Sequence, residues 1–186
     1  VTTPGSFGRA VTALNDHPEW LMIYGEGDEF NHSTGFKQRY PTLLPSVGLD
    51  GFRSHCFICQ PTVVFRRSMA VLLGSFDIKW KTSFDFDYWL RAFDQFPNRI
   101  GYIPHLQGRT RLHEGTITSS QRSQVALEAI ELYAQYFGPA PSTRLQNFAL
   151  ELQLGIATVP EGQSTDELLR ELLMTASSWL DSKDID

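Results

Sequence analysis

FDFDYWLRAFDQF, residues Phe84 to Phe96, is the stretch whose reading decides the fold. Its apolar residues Phe86, Trp89, Leu90 and Phe93 recur at the three-and-four spacing of one buried helical face, which predicts a helix with an inside. Asp87, Arg91 and Asp94 fall four and three apart on another face, where ordinary ion pairs are worth about 0.3–0.5 kcal/mol each. Asp85 lies roughly 200° around the helix from Asp87. It sits in the first turn with no basic residue three or four positions on. An acid there can serve the helix dipole alone or can serve chemistry, and the rest of the chain has to decide.

A chain of 186 residues with 41% hydrophobic residues can bury a sizeable core, as one domain or one domain with an appendage. Sixteen basic against 21 acidic residues give a net charge of -5, without a Lys/Arg-rich block beyond pairs such as Arg66-Arg67. This argues against nucleic acid as a partner. Cys56 and Cys59 form a lone CxxC, and with Phe57-Ile58 between them and Gln60-Pro61 after them they read as a buried strand entering a turn. Zinc or redox use is the alternative. No apolar run approaches the ~18 residues that span a bilayer, and no signal peptide opens the chain, so a cytoplasmic location is the default expectation.

Thr3 followed by Pro4 reads as the N-cap and first position of a helix whose face is Phe7, Ala10, Val11 and Leu14. Trp20 to Tyr24, WLMIY, is an apolar run of strand length. The turn-rich GEGDEFNHSTG after it reads as an acidic loop, in which Glu26, Asp28 and Glu29 serve a ligand or only solvent. Residues 36–55 have no sustained period. CFICQPTVVFRRS gives apolar runs around Gln60-Pro61, with a strand near Thr62 to Phe65 expected beside WLMIY. SMAVLLG reads as a short helix stopped by Gly74. RIGYI, Arg99 to Ile103, reads as a short strand, and the segment through Arg109, Arg111 and His113 as a polar, basic loop. Three helices follow: one with Ala126, Ile130, Tyr133 and Phe137 on its face, ended by Gly138, and one with Leu145, Phe148, Ala149 and Leu152. In the third, Ser164 and Glu167 form a capping box and Leu168, Leu169, Leu172, Leu173, Ala176 and Trp179 face inward.

With YGEGDEF, FICQPTVVFRRS, FDFDYWLRAF and RTRLHEGTITS read in that order, the chain resembles a family-2 glycosyltransferase over roughly residues 1–138. The resemblance implies an α/β fold: a partial GT-A domain, a mixed sheet flanked by helices, with a C-terminal helical extension. Residues 1–113 would be the acceptor-side part and 114–186 the extension. On this resemblance Asp85 matches the catalytic base that takes the proton from an acceptor hydroxyl, although Phe84 stands where many relatives have a Glu. His113 matches a histidine that approaches a metal or the donor diphosphate, and neutral imidazole suits a metal ligand. Glu26 and Asp28 match the acceptor side, and Gln60 of the CQP turn joins Arg109 and Arg111, whose charge suits phosphate, as substrate-binding residues.

The resemblance also implies a nucleotide-sugar donor, a saccharide or lipid-linked acceptor, a divalent cation (Mg or Mn), and a place in the cytoplasm or at the inner face of a membrane. Pro4-Gly5 looks like the helix start that follows the family's Asp-x-Asp. The chain is therefore expected to begin after that motif, to have most of its cation ligands elsewhere, and to associate with the missing half or with itself. Two other functions stay open beside an inverting transferase. A glycoside hydrolase needs two carboxylates about 5–9.5 Å apart, for which Asp85 with Glu26 or Asp28 are candidates. A sugar-binding or assembly module would stack Trp80, Tyr88 or Trp89 on sugar rings, unless Trp89 is core.

Overall fold

A computed structural model describes residues 1–113 and 115–184. The chain forms two compact units, residues 1–77 with 84–113, and residues 78–83 with the described chain from 115 onward.

The first unit is built on a four-stranded mixed sheet. Its centre is β1 (Met22–Phe30). Along one edge β1 pairs in parallel with β4 (Ile100–Arg111), and along the other it pairs antiparallel with two short strands. These are β3 (Val64–Phe65), opposite Met22 and Ile23, and β2 (Lys37–Arg39), opposite Asp28 to Phe30. The strand expected near Thr62 to Phe65 therefore does neighbour the WLMIY run.

Two expected loops are strand instead. GEGDEF continues β1 because Gly25 and Gly27 let the chain pack where side chains could not. A Cβ on Gly25 would come within 2.6 Å of Gln107 Cγ, and one on Gly27 within 2.5 Å of the Cys59 side chain. Asp28, just after them, meets cations on both neighbouring strands. Likewise β4 does not stop at Ile103: it takes up Pro104 in an irregularity where its register against Gly25, Glu26 and Gly27 shifts, then pairs on through Arg109 and Arg111. The buried run Phe57, Ile58 and Cys59, by contrast, is not a strand. Gln60–Thr62 is a 3₁₀ turn, in which Pro61 has no N–H to give a ladder and the Thr62 hydroxyl donates to Cys59 O at 2.7 Å.

The first helix, α1 (Ser6–Asp16), begins two residues later than the Thr3-Pro4 reading, behind Gly5 at φ 75°. Thr3 is still paired with β4, its N–H donating to Gln107 O at 3.0 Å. The buried face is correspondingly Ser6, Ala10 and Leu14, packed on Ile23 and Ile103, whereas Phe7 is 71% and Val11 41% exposed. After α2 (Arg67–Leu73), ended by Gly74 at φ 85°, comes α3 (Phe84–Gln95). It buries Phe86, Trp89, Leu90 and Phe93 as their spacing predicts, and buries Asp87 and Tyr88 besides. Phe52, Phe57 and Phe93 pack ring against ring with Tyr24 of β1, so the helix is anchored on the sheet by aromatic contact.

In the second unit a short helix α4 (Ile117–Ser120) leads into α5 (Arg122–Phe137), α6 (Thr143–Gln153) and α7 (Thr165–Ala176). The capping box at Ser164 and Glu167 is present. Ile130, Ala140, Ala176 and Leu180 form one apolar cluster, and Phe148, Ala157, Leu168 and Leu172 another. Leu173, expected inward, is exposed. Residues 78–83 are held by Glu128 of α5. This buried carboxylate accepts from the backbone N–H groups of Lys81, Thr82 and Ser83 at 2.8–2.9 Å, from the Thr82 hydroxyl at 2.7 Å and from Gln124 at 2.9 Å.

Candidate functional site

The register of the sheet places charge before any ligand is considered. Asp28 lies directly opposite Arg39 of β2 on one side and Arg109 of β4 on the other. Its carboxylate, 6% exposed as a residue, reaches Arg39 Nη1 at 3.4 Å, Arg109 Nε at 3.5 Å and Lys37 Nζ at 3.8 Å. Glu26, two residues earlier, accepts the Tyr102 hydroxyl and reaches Arg39 Nε at 3.8 Å. Both acids are thus occupied in orienting cations and a tyrosine. Sequence reasoning missed Arg39, Lys37 and Tyr102. For the two cations the signal was their alternation in Lys37-Gln38-Arg39 against the acids of β1, hidden in a segment read as aperiodic.

Gln60, Arg109, Arg111 and His113 do come together. They line one open cavity of about 730 Å³, with Phe30 and His32 on another part of its wall. No acidic residue lines it among the described residues, and both arginines belong to the strand half that was read as loop. The cavity can receive an anion of phosphate type, for which arginine provides several N–H donors. For a divalent cation it offers two imidazoles, His32 and His113. A hard cation such as Mg prefers oxygen ligands, and no carboxylate joins the histidines there, so these residues alone do not complete a cation site.

Asp85 is not among the residues lining that cavity. It is the second residue of α3, half-buried, and its carboxyl accepts the Phe86 N–H at 2.8 Å. Burial raises its pKa, and hydrogen bonds from backbone N–H groups only partly offset this. No cation pairs with it among the described residues. Asp87, on the same turn, is instead tied to Arg91 at 2.8 and 2.9 Å. The surroundings of Asp85 include Cys56 and Tyr40, whose pKa values are raised first by burial and further by the Asp85 charge, that of Cys56 to about 12. Tyr40 bridges this region to the sheet, its hydroxyl donating to Cys56 O at 2.7 Å and its backbone N–H to Gly27 O at 2.9 Å. Cys59, beneath Gly27 and 3.5 Å from the Thr110 hydroxyl, is a buried thiol pushed up to about 11, so neither cysteine has thiolate character near neutral pH.

The aromatics considered for sugar stacking are not available for it: Trp80 is 4%, Tyr88 1% and Trp89 2% exposed. A search of protein-family models and a search of curated proteins match this chain to nothing.

Proposed function

We propose that this chain carries the acceptor-side part of an inverting glycosyltransferase that moves a sugar from a nucleotide-sugar donor to a hydroxyl acceptor. The observation that carries the reading is Asp85, a half-buried carboxylate at a helix start with no ion-pair partner among the described residues, its pKa raised by burial. The acceptor oxygen forms a bond to the anomeric carbon, the bond from that carbon to the diphosphate breaks, and the acceptor proton passes to Asp85. Arg109 and Arg111 suit the departing diphosphate charge. The divalent cation implied by the resemblance would add charge stabilisation there, with ligands beyond those the described residues supply. The hydrolase reading is less well supported, because Glu26 and Asp28 are already held by Tyr102 and by three cations. The buried tryptophans weaken the stacking module in the same way.

Labelled nucleotide sugars incubated with the protein as its natural source makes it, together with a panel of hydroxyl acceptors, test the proposal. Transfer is expected, and Asp85→Asn should lower it by about 10²–10⁴-fold with nucleotide-sugar binding kept. Transfer by the Asp85→Asn protein at the parental rate would remove Asp85 as the base.

A further inference from the structure

We propose that a second cavity, formed at the β1–β2 hairpin, is a subsite for a saccharide ring bearing an anionic group, either the carboxylate of a uronic acid or a sugar phosphate. Its role as the acceptor position rests on the transferase reading above; its ability to bind does not. The cavity measures about 360 Å³, within the range of small-ligand sites, and shares Phe30, His32 and Arg109 with the larger cavity, so occupants of the two would be neighbours.

Three features of the wall define the occupant. First, the turn from Asn31 to Phe36 is fixed by its own bonds. Asn31 N–H donates to Phe36 O at 2.9 Å, and Asn31 Oδ1 accepts from the Ser33 and Thr34 amides. Asn31 lines the cavity, and its side-chain nitrogen is not used in these bonds. Second, the wall is aromatic: the Phe30 and His32 rings meet edge-on at 4.9 Å, and Phe36 is 43% exposed. Apolar ring faces beside a side-chain donor suit a pyranose better than a bare ion.

Third, among the described residues the charged ones lining the cavity are both cations, Lys37 and Arg109. Each has Asp28 as its ion-pair partner, at 3.8 and 3.5 Å, and Asp28 is shared with Arg39 as well. Those separations are longer than the roughly 2.7–2.9 Å of a charge-assisted hydrogen bond. Among the described residues no other acid lies within ion-pair distance of Lys37 or Arg109, Glu26 reaching Tyr102 and Arg39 and Glu29 accepting from Gln38 at 2.6 Å. An incoming carboxylate or phosphate therefore finds two cations with donor capacity left.

Titration of the full chain with glucose, glucuronate, glucose 6-phosphate and inorganic phosphate, read by calorimetry or ligand-observed NMR, tests this without any donor. At least one of the two anionic sugars should bind tenfold or more tighter than glucose, and the comparison between them assigns carboxylate or phosphate. Lys37→Ala should abolish the preference for the anionic ring and Lys37→Arg should keep it. Phe36→Ala should weaken the anionic sugars several-fold with the preference intact. Both positions are exposed, and circular dichroism of each variant checks its fold. Equal binding of glucose, binding unaffected by Lys37→Ala, or inorganic phosphate binding as tightly as glucose 6-phosphate would overturn the subsite. Binding as expected, with no transfer to any of the hydroxyl acceptors when labelled nucleotide sugars are added to the protein as its natural source makes it, would overturn the transferase reading and leave the subsite standing. Transfer to neutral acceptors without such binding would do the reverse.

Discussion

Replacing Asp87 by Asn separates what the helix pattern suggests from what the packed helix does. As a surface pair at i and i+4, Asp87 with Arg91 would contribute about 0.3–0.5 kcal/mol. In the structure the Asp87 side chain is 7% and that of Arg91 20% exposed, with Nη2 and Nε of the arginine at 2.8 and 2.9 Å from Oδ2. Breaking a buried pair costs about 3–5 kcal/mol when the surviving charge is stranded. Here Arg91 keeps hydrogen bonds to Leu73 O at 3.0 Å and Ser75 O at 3.1 Å and lies over the Tyr88 ring, and Asn can still accept one bond. The expected loss is therefore about 2–3 kcal/mol, below that range but several-fold above the surface value. Urea denaturation of Asp87→Asn, Arg91→Met and the double variant measures both the loss and the coupling. A loss of about 0.5 kcal/mol or less, or a coupling near zero, would show that Asp87 is an ordinary surface acid and refute the reasoning.

Two further predictions concern pH, and their signs are opposite. Burial pushes the Glu128 carboxyl up, but the hydrogen bonds from Gln124, Thr82 and the Lys81 and Thr82 amides outweigh it and leave its pKa below the ordinary 4.5. Its stabilisation is thus present above pH 4.5 and lost as pH falls through the lowered folded value; Glu128→Gln should flatten that acid loss in urea midpoints measured across pH, and an unchanged profile would count against it. Asp85 is raised by burial, so folding is favoured most below its ordinary 3.8 and less as pH rises through the folded value. Asp85→Asn should therefore be more stable than the parent near pH 7 and equal to it near pH 3; a parent more stable than the variant at neutral pH would contradict the assignment.

How far the sequence could be read depended on whether the deciding contacts were local. The buried face of α3, the glycine stops at Gly74 and Gly138 and the Ser164 capping box all lie within a few residues, and each is where its pattern places it. The polar half of β1 could not be read so. Gly25, Glu26, Gly27 and Asp28 have the composition of a loop. They extend because Arg39 and Arg109 flank Asp28 and because Gln107 and Cys59 fill the space that side chains at Gly25 and Gly27 would need. Those partners come from elsewhere in the chain, and local propensity yields to them. The same cause extended β4 past Pro104, and with it turned Arg109 and Arg111 from an expected loop into side chains of a strand that line a cavity. For α1 the error was local: Thr3-Pro4 satisfies the rule for a helix start, but pairing of Thr3 with β4 takes that residue first, and the buried stripe rotates away from Phe7 and Val11.

The sheltered acids also explain why one among them is suited to accept a proton. Asp28 faces three cations, Asp87 is bound by Arg91, and Glu128 receives five hydrogen bonds from Gln124 and residues 81–83. Each of these carboxylates is already committed to its partners, and that of Glu128 is held by them below its ordinary 4.5. Asp85 has burial without that compensation, its contacts being to backbone N–H groups at the start of its own helix. An acid in the first turn complements the helix dipole, but burial sets a cost against the charged form that no cation offsets here. An unpaired acid kept against that cost, two residues from an acid that is fully paired, is the kind of local inconsistency that a fold tolerates where the group has a task.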